Sequence, residues 1–142
     1  MKGLPDPVNS VETGDRNEVT QLGEGQKITV VAWALKVNRG GKEACNCELG
    51  GVADMDNHIV LVDPGTKHPT VEKDECRSVT AEFTPRVRQD HKNFTRTKLN
   101  NLIAPTGKLL VRVTGLLMFD SYHFFIQVNR RYGTPIGRYI RF

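Results

Sequence analysis

What most limits the fold of this chain is an order of segments: three β-like runs, one proline-opened stretch with helical spacing, then two further β-like runs. The first run, "QKITVVAWALKV", crowds β-branched and aromatic residues together and stops at Gly40-Gly41. "HIVLVDP" is a short apolar run ended by a proline turn. "SVTAEFT" alternates, with Val79, Ala81 and Phe83 on one face and Thr80, Glu82 and Thr84 on the other. In "PRVRQDHKNFTRTKLNNLIAPTGK", Pro85 suits the first turn of a helix. Phe94, Leu99, Leu102 and Ile103 then fall near helical spacing until Pro105 and Gly107 halt the pattern. "KLLVRVTGLLMFD" reads as a fourth strand in which Gly115 predicts a bulge or sharp bend, and "PIGRYIRF" as a fifth. Strand, strand, strand, helix, strand, strand is the order of a five-stranded OB-fold-like Greek-key barrel. The expected class is all-β, with one or two short helices between strands 3 and 4.

The 142 residues suffice for one domain that buries roughly two-thirds of its unfolded surface. Residues 1–24 hold two prolines, three glycines and scattered charge, so a flexible N-terminal arm is expected there and the barrel over 25–142. No apolar run approaches the roughly 18 to 20 residues of a membrane span, and "MKGLPDPVNSVETGD" lacks the apolar core of a signal peptide. These features predict a soluble chain, cytoplasmic by default, although a trimmed leader would leave the same start. Oligomeric state is not set by anything in the sequence.

Charge is divided unevenly along the chain. Residues 1–76 carry 8 basic and 13 acidic side chains, net −5, whereas residues 77–142 carry 12 and 3, net +9. A basic half of this kind attracts phosphate unless folding interleaves the two halves and cancels the field. Arg86, Arg88, Arg96 and Lys98 surround the helical stretch, and Arg112, Arg130, Arg131, Tyr132 and Arg138 mark the last two strands and their link. OB-folds that hold single strands use such cations for phosphates and aromatic rings for bases. The first functional expectation is therefore a small binding protein for single-stranded nucleic acid or another polyanion. Arginines also commonly cover an ordinary solvated face.

A second constellation carries titratable groups. Glu82, Asp120 and His123 form the candidate catalytic set of a metal-dependent, nuclease-like hydrolase, because a carboxylate beside an imidazole orients it for acid–base work or metal binding. His58, His123, Cys45 and Cys47 are the candidate ligands of a divalent metal such as zinc, provided they converge. Against this, Cys-x-Cys is not the usual zinc spacing, and Asp120 also suits a turn cap. With Cys76 the cysteines number three, which allows a disulfide, reduced structural thiols or a metal site. No phosphate-cradling glycine loop or Rossmann fingerprint is present, so no organic cofactor is expected. The third expectation is a structural or protein-interaction domain, with the cysteine loop and N-terminal arm as contact surfaces.

Taken together, "CNC", "DNHIVLV", "TAEFTPR" and "VTGLLMFDSYH" resemble a group of bacterial proteins. That group has an Asp-x-His-aliphatic strand, a Glu-bearing strand and then Val-Thr-Gly-x-x-x-Phe-Asp-x-x-His. A piece close to Trp-Glu-Ile-His-Pro usually closes the barrel in that group, where this chain has "GTPIGRYIRF" and so lacks a histidine and an acid. The resemblance implies an OB-like barrel and brings no settled activity with it.

Overall fold

In a computed structural model of the chain, the described residues are 16–41, 48–119 and 138–141. Strands β1 (Lys27–Arg39), β2 (Asn57–Val62), β3 (Val79–Phe83) and β4 (Leu109–Phe119) form one antiparallel sheet, with neighbours in the order β4-β1-β2-β3. The sheet curls into a half-barrel. Among the described residues four short α-helices accompany it, α1 (Asn17–Gln21), α2 (Val71–Asp74), α3 (Pro85–Arg88) and α4 (Arg96–Ile103), and a 3-10 turn, Glu75–Arg77, follows α2. A further extended run, Arg138–Arg141, lies beside β3 and the far end of β4. Among the described residues no helix is long and apolar enough to cross a membrane.

The curl originates in β1. Its register with β2 shifts between Ala34 and Lys36, so Leu35 is the extra residue of a bulge. Side-chain parity changes there. Ala32 and Ala34 face the interior before the bulge and Val37 faces it afterwards, while Leu35 joins Val60 and Val62 in a second cluster on the outer face. The irregularity expected at Gly115 is absent: that residue pairs with Ile28 in an unbroken register from Lys27↔Leu116 to Ala34↔Leu109. Glycine permits a bend but does not impose one, and the inserted Leu35 already supplies it.

Ile59, Leu61, Ala81 and Phe83 complete the inner core with Leu99 and Ile103 from α4. The last two are four residues apart and therefore share one helix face, which closes the end of the half-barrel. Burying each contributes roughly 1.5–3 kcal/mol. Leu102, which falls to one side of this buried stripe, is 58% exposed. Thr95 caps α4 by accepting the Lys98 N–H (3.3 Å), and Gly107 (φ +71) provides the left-handed residue before β4. Pro85 opens α3 as expected, with Thr84 as its cap.

Two placements depend on tertiary contacts. Trp33 is only half-buried, on the outer face, where its indole N–H donates to the Pro64 carbonyl (3.0 Å) and Lys108 Nζ sits 4.4 Å from the ring centroid. Residues 16–24 contain α1 and a buried Val19. The reason is an ionic clamp. Arg16 donates to both carboxylate oxygens of Glu24 and to the Phe119 carbonyl (2.9 Å), and the Phe119 N–H donates back to Glu24 Oε1 (3.1 Å).

Candidate functional site

The pleat places His58 directly opposite Glu82 on the outer face of β2 and β3. Their side chains meet at 3.8 Å, Nε2 to Oε1. Glu82 is 4% exposed and Asp56, which precedes the strand, is fully buried. Alternation in "SVTAEFT" puts Glu82 on the face opposite Val79, Ala81 and Phe83, and there it is a buried carboxylate beside an imidazole. Gly40 makes the close packing feasible, since its N–H donates to the Asp56 carbonyl (2.7 Å). A Cβ there would lie 3.0 Å from His58 Nε2 and 3.2 Å from the Asp56 oxygen.

Of the residues proposed for acid–base or metal chemistry, the structure thus brings together His58 and Glu82. Asp120, His123, Cys45 and Cys47 lie outside the described residues. Among the described residues, no group of three or more His, Cys, Asp or Glu side chains is arranged to hold a metal ion. A carboxylate 3.8 Å from the imidazole can help orient the ring, but a hydrolytic centre also needs a bound water or ion and a group to stabilise the developing charge.

The described cations separate into two kinds. Arg88 is half-buried and structural: its guanidinium donates to the carbonyls of Ala53 (3.0 Å) and Met55 (2.5 Å) and to Asn57 Oδ1 (3.3 Å). It ties the loop before β2 to the β3–β4 connection, and Asn57 reinforces the tie by donating to the Phe94 carbonyl (3.3 Å). Arg86, Arg96 and Lys98 are exposed on α3 and α4, and Arg112 is exposed on β4 opposite Val31. Lys98 Nζ donates to the Lys92 carbonyl and Asn93 Oδ1 (3.1 and 3.2 Å). Arg86, Lys92, Arg96 and Arg112 have no ion pair among the described residues. Arg138 is placed by its backbone opposite Phe119. Arg130, Arg131 and Tyr132 lie outside the described residues.

Sequence reasoning overlooked the rings among these cations. Phe83 and Phe94 stack with centroids 5.4 Å apart and planes 7° from parallel, and His91 meets both edge-on at 5.9 and 5.7 Å. Phe94 is 40% exposed. The available signal was "HKNF", an imidazole and a benzyl group three residues apart in a basic loop; helical spacing instead assigned Phe94 to a buried face. In sequence Lys92 falls between the two rings, and Arg96 and Lys98 follow directly.

At the end of β4, the Arg16–Glu24 clamp also sets an electrostatic environment. Burial raises the Glu24 carboxyl, but the Arg16 hydrogen bond, the Phe119 N–H and the Arg16 charge together outweigh it and hold the group below its ordinary value. The clamp fixes the backbone one residue before Asp120. No family model, curated protein or solved structure matches this chain.

Proposed function

We propose that the chain is a small OB-like barrel that binds single-stranded nucleic acid or a similar polyanion along the helical connection between β3 and β4. The observation that carries this reading is that Arg86, Lys92 and Arg96, exposed and without an ion pair among the described residues, lie on the same β3–β4 connection as the partly exposed ring of Phe94. Cations that follow phosphates beside a ring that stacks a base are the means by which single strands are held without sequence readout. The barrel part of the reading draws support from Arg138–Arg141, whose register runs parallel to β3 at Thr80–Glu82 and antiparallel to β4 at Leu116–Phe119. Such a fifth strand would close the half-barrel in OB order. The four motifs shared with the bacterial group point the same way.

The test is fluorescence anisotropy with a labelled oligothymidylate at 50 and 200 mM salt. Three to four phosphate contacts on a single strand imply a roughly 20- to 50-fold loss of affinity over that range. Arg86→Ala with Arg96→Ala should flatten the slope, and Phe94→Ala should weaken binding by roughly 1–3 kcal/mol at every salt concentration. Absent or salt-independent binding would refute the reading.

A metal-dependent hydrolase is the second reading, favoured by the single observation that His58 and Glu82 pair at 3.8 Å. It requires nuclease activity that depends on a divalent ion and disappears in Glu82→Gln.

A further inference from the structure

We infer that the outer face of the β1–β4 ladder is a docking surface for an anionic lipid membrane, on which the protein lies peripherally. Register and pleat bring four rungs to this face: Lys27 opposite Leu116, Thr29 opposite Thr114, Val31 opposite Arg112 and Trp33 opposite Leu110. Val31, Leu110 and Leu116 are exposed there, although aliphatic. The outer face farther along β1 differs, because Leu35, Val60 and Val62 are buried and Val71 of α2 packs against them. There α2 supplies the cover, whereas the β1–β4 end keeps its aliphatic side chains in solvent.

Charge complementarity names the partner. Neither strand contains an acidic residue. Lys108 directly precedes β4, Arg112 follows four residues later and Lys27 stands at the rung of Leu116, four further on, so cations recur roughly every 13 Å along the face. The flanking acids are engaged elsewhere: Glu24 with Arg16 and the Phe119 N–H, and Asp63 with the Gly65 N–H (2.7 Å). Thr29 and Thr114 bond each other through their hydroxyls (2.8 Å). What this face offers a partner is aliphatic side chains set among cations. A membrane supplies both complements, acyl chains and anionic headgroups, and its fluid headgroups gather at whatever spacing fixed cations present. A nucleic-acid strand gains less, because stacking needs an open ring and the Trp33 indole already carries Lys108 at 4.4 Å and packs against the Leu35 cluster. The inference stands apart from nucleic-acid binding at Arg86, Lys92, Arg96 and Phe94, none of which lies on these two strands.

Trp33 is the sole tryptophan, so tryptophan fluorescence reports on this face. Titrating the full chain with phosphatidylcholine vesicles that carry about one-third phosphatidylserine should shift Trp33 emission to the blue, and brominated acyl chains should quench it. Vesicles of phosphatidylcholine alone should bind at least tenfold more weakly. Lys27→Glu with Arg112→Glu should reduce affinity for the anionic vesicles at least tenfold, and Val31→Ser with Leu110→Ser about fivefold. Both pairs sit at exposed positions, and Leu102→Ser, an exposed leucine on α4, should change affinity less than twofold. No binding to anionic vesicles, equal binding to the two vesicle types, unchanged Trp33 emission in the bound state, or full affinity in either double variant would each overturn the inference. So would a Trp33 response to oligothymidylate or polyglutamate in place of vesicles, which would assign the face to nucleic acid or to an acidic protein.

Discussion

Replacing Asn100 by alanine would test how the one substantial helix is joined to the sheet. Pairing of β1 with β4 ends at Ala34 opposite Leu109, so beyond that point the β4 side of β1 has no strand beside it among the described residues. There the Asn100 amide takes a strand's place: its Oδ1 accepts the Val37 N–H and its Nδ2 donates to the Val37 carbonyl, each at 2.9 Å. Val37 is 2% exposed, so water cannot readily replace either bond. Leaving two buried backbone groups unsatisfied at about 1–2 kcal/mol each gives an expected loss of about 2–4 kcal/mol in Asn100→Ala. Asn100→Asp keeps an acceptor for the N–H but sets a carboxylate oxygen against the Val37 carbonyl, and should fall between alanine and the parent. Urea unfolding should show a lower midpoint at unchanged slope, the signature of lost stability with the same surface exposed. Amide exchange at Val37 should accelerate in parallel. A loss under about 0.5 kcal/mol, the range of ordinary surface substitutions, would refute the reasoning and show that α4 is held by its apolar face alone.

Leu99→Ala should cost about 2–4 kcal/mol by opening a void in the inner core, whereas Leu102→Ala, three residues on, should stay within about 0.5 kcal/mol; thermal melts of the pair verify which face of α4 is buried. Gly40→Ala should destabilise by about 1–2 kcal/mol in the same assay, because the His58 ring can yield to the new methyl but the Asp56 carbonyl 3.2 Å away belongs to the backbone. Glu24→Gln should cost about 1 kcal/mol at pH 7, the Arg16 side chain being 39% exposed and its ion pair correspondingly screened. Because folding lowers the Glu24 pKa, the stabilisation is complete above the unfolded value of about 4.3 and fades as pH falls through the folded one. Unfolding curves of parent and variant should therefore converge in acid, and a gap that stayed constant to pH 2 would contradict the clamp.

Much of the candidate surface could be anticipated from residue type and much could not. Arg86 and Arg88 are two residues apart and chemically identical, yet one is exposed and the other holds three oxygens of the loop before β2. Nothing local distinguishes them, since the acceptors come from residues more than thirty positions away. Glu82 is similar: its place in an alternating strand correctly put it opposite the inner core, but only the neighbouring His58 and the packing around it made that side buried. His91 and Phe94 acquire their roles from Phe83, a strand residue brought beneath them by the turn at Thr84.

By itself the sequence determined the four strand runs and the proline-opened connection, because β-branching, alternation and the fixed φ of proline act over a few residues. It also determined the concentration of cations after Cys76. The tertiary structure decided the site of the bend, which falls at Leu35 rather than Gly115, and the burial of Glu82. It likewise decided the partial exposure of Trp33 and the anchoring of residues 16–24. Each of these depends on which distant backbone and side-chain groups become neighbours, and a one-dimensional pattern specifies the faces of an element without specifying what will cover them.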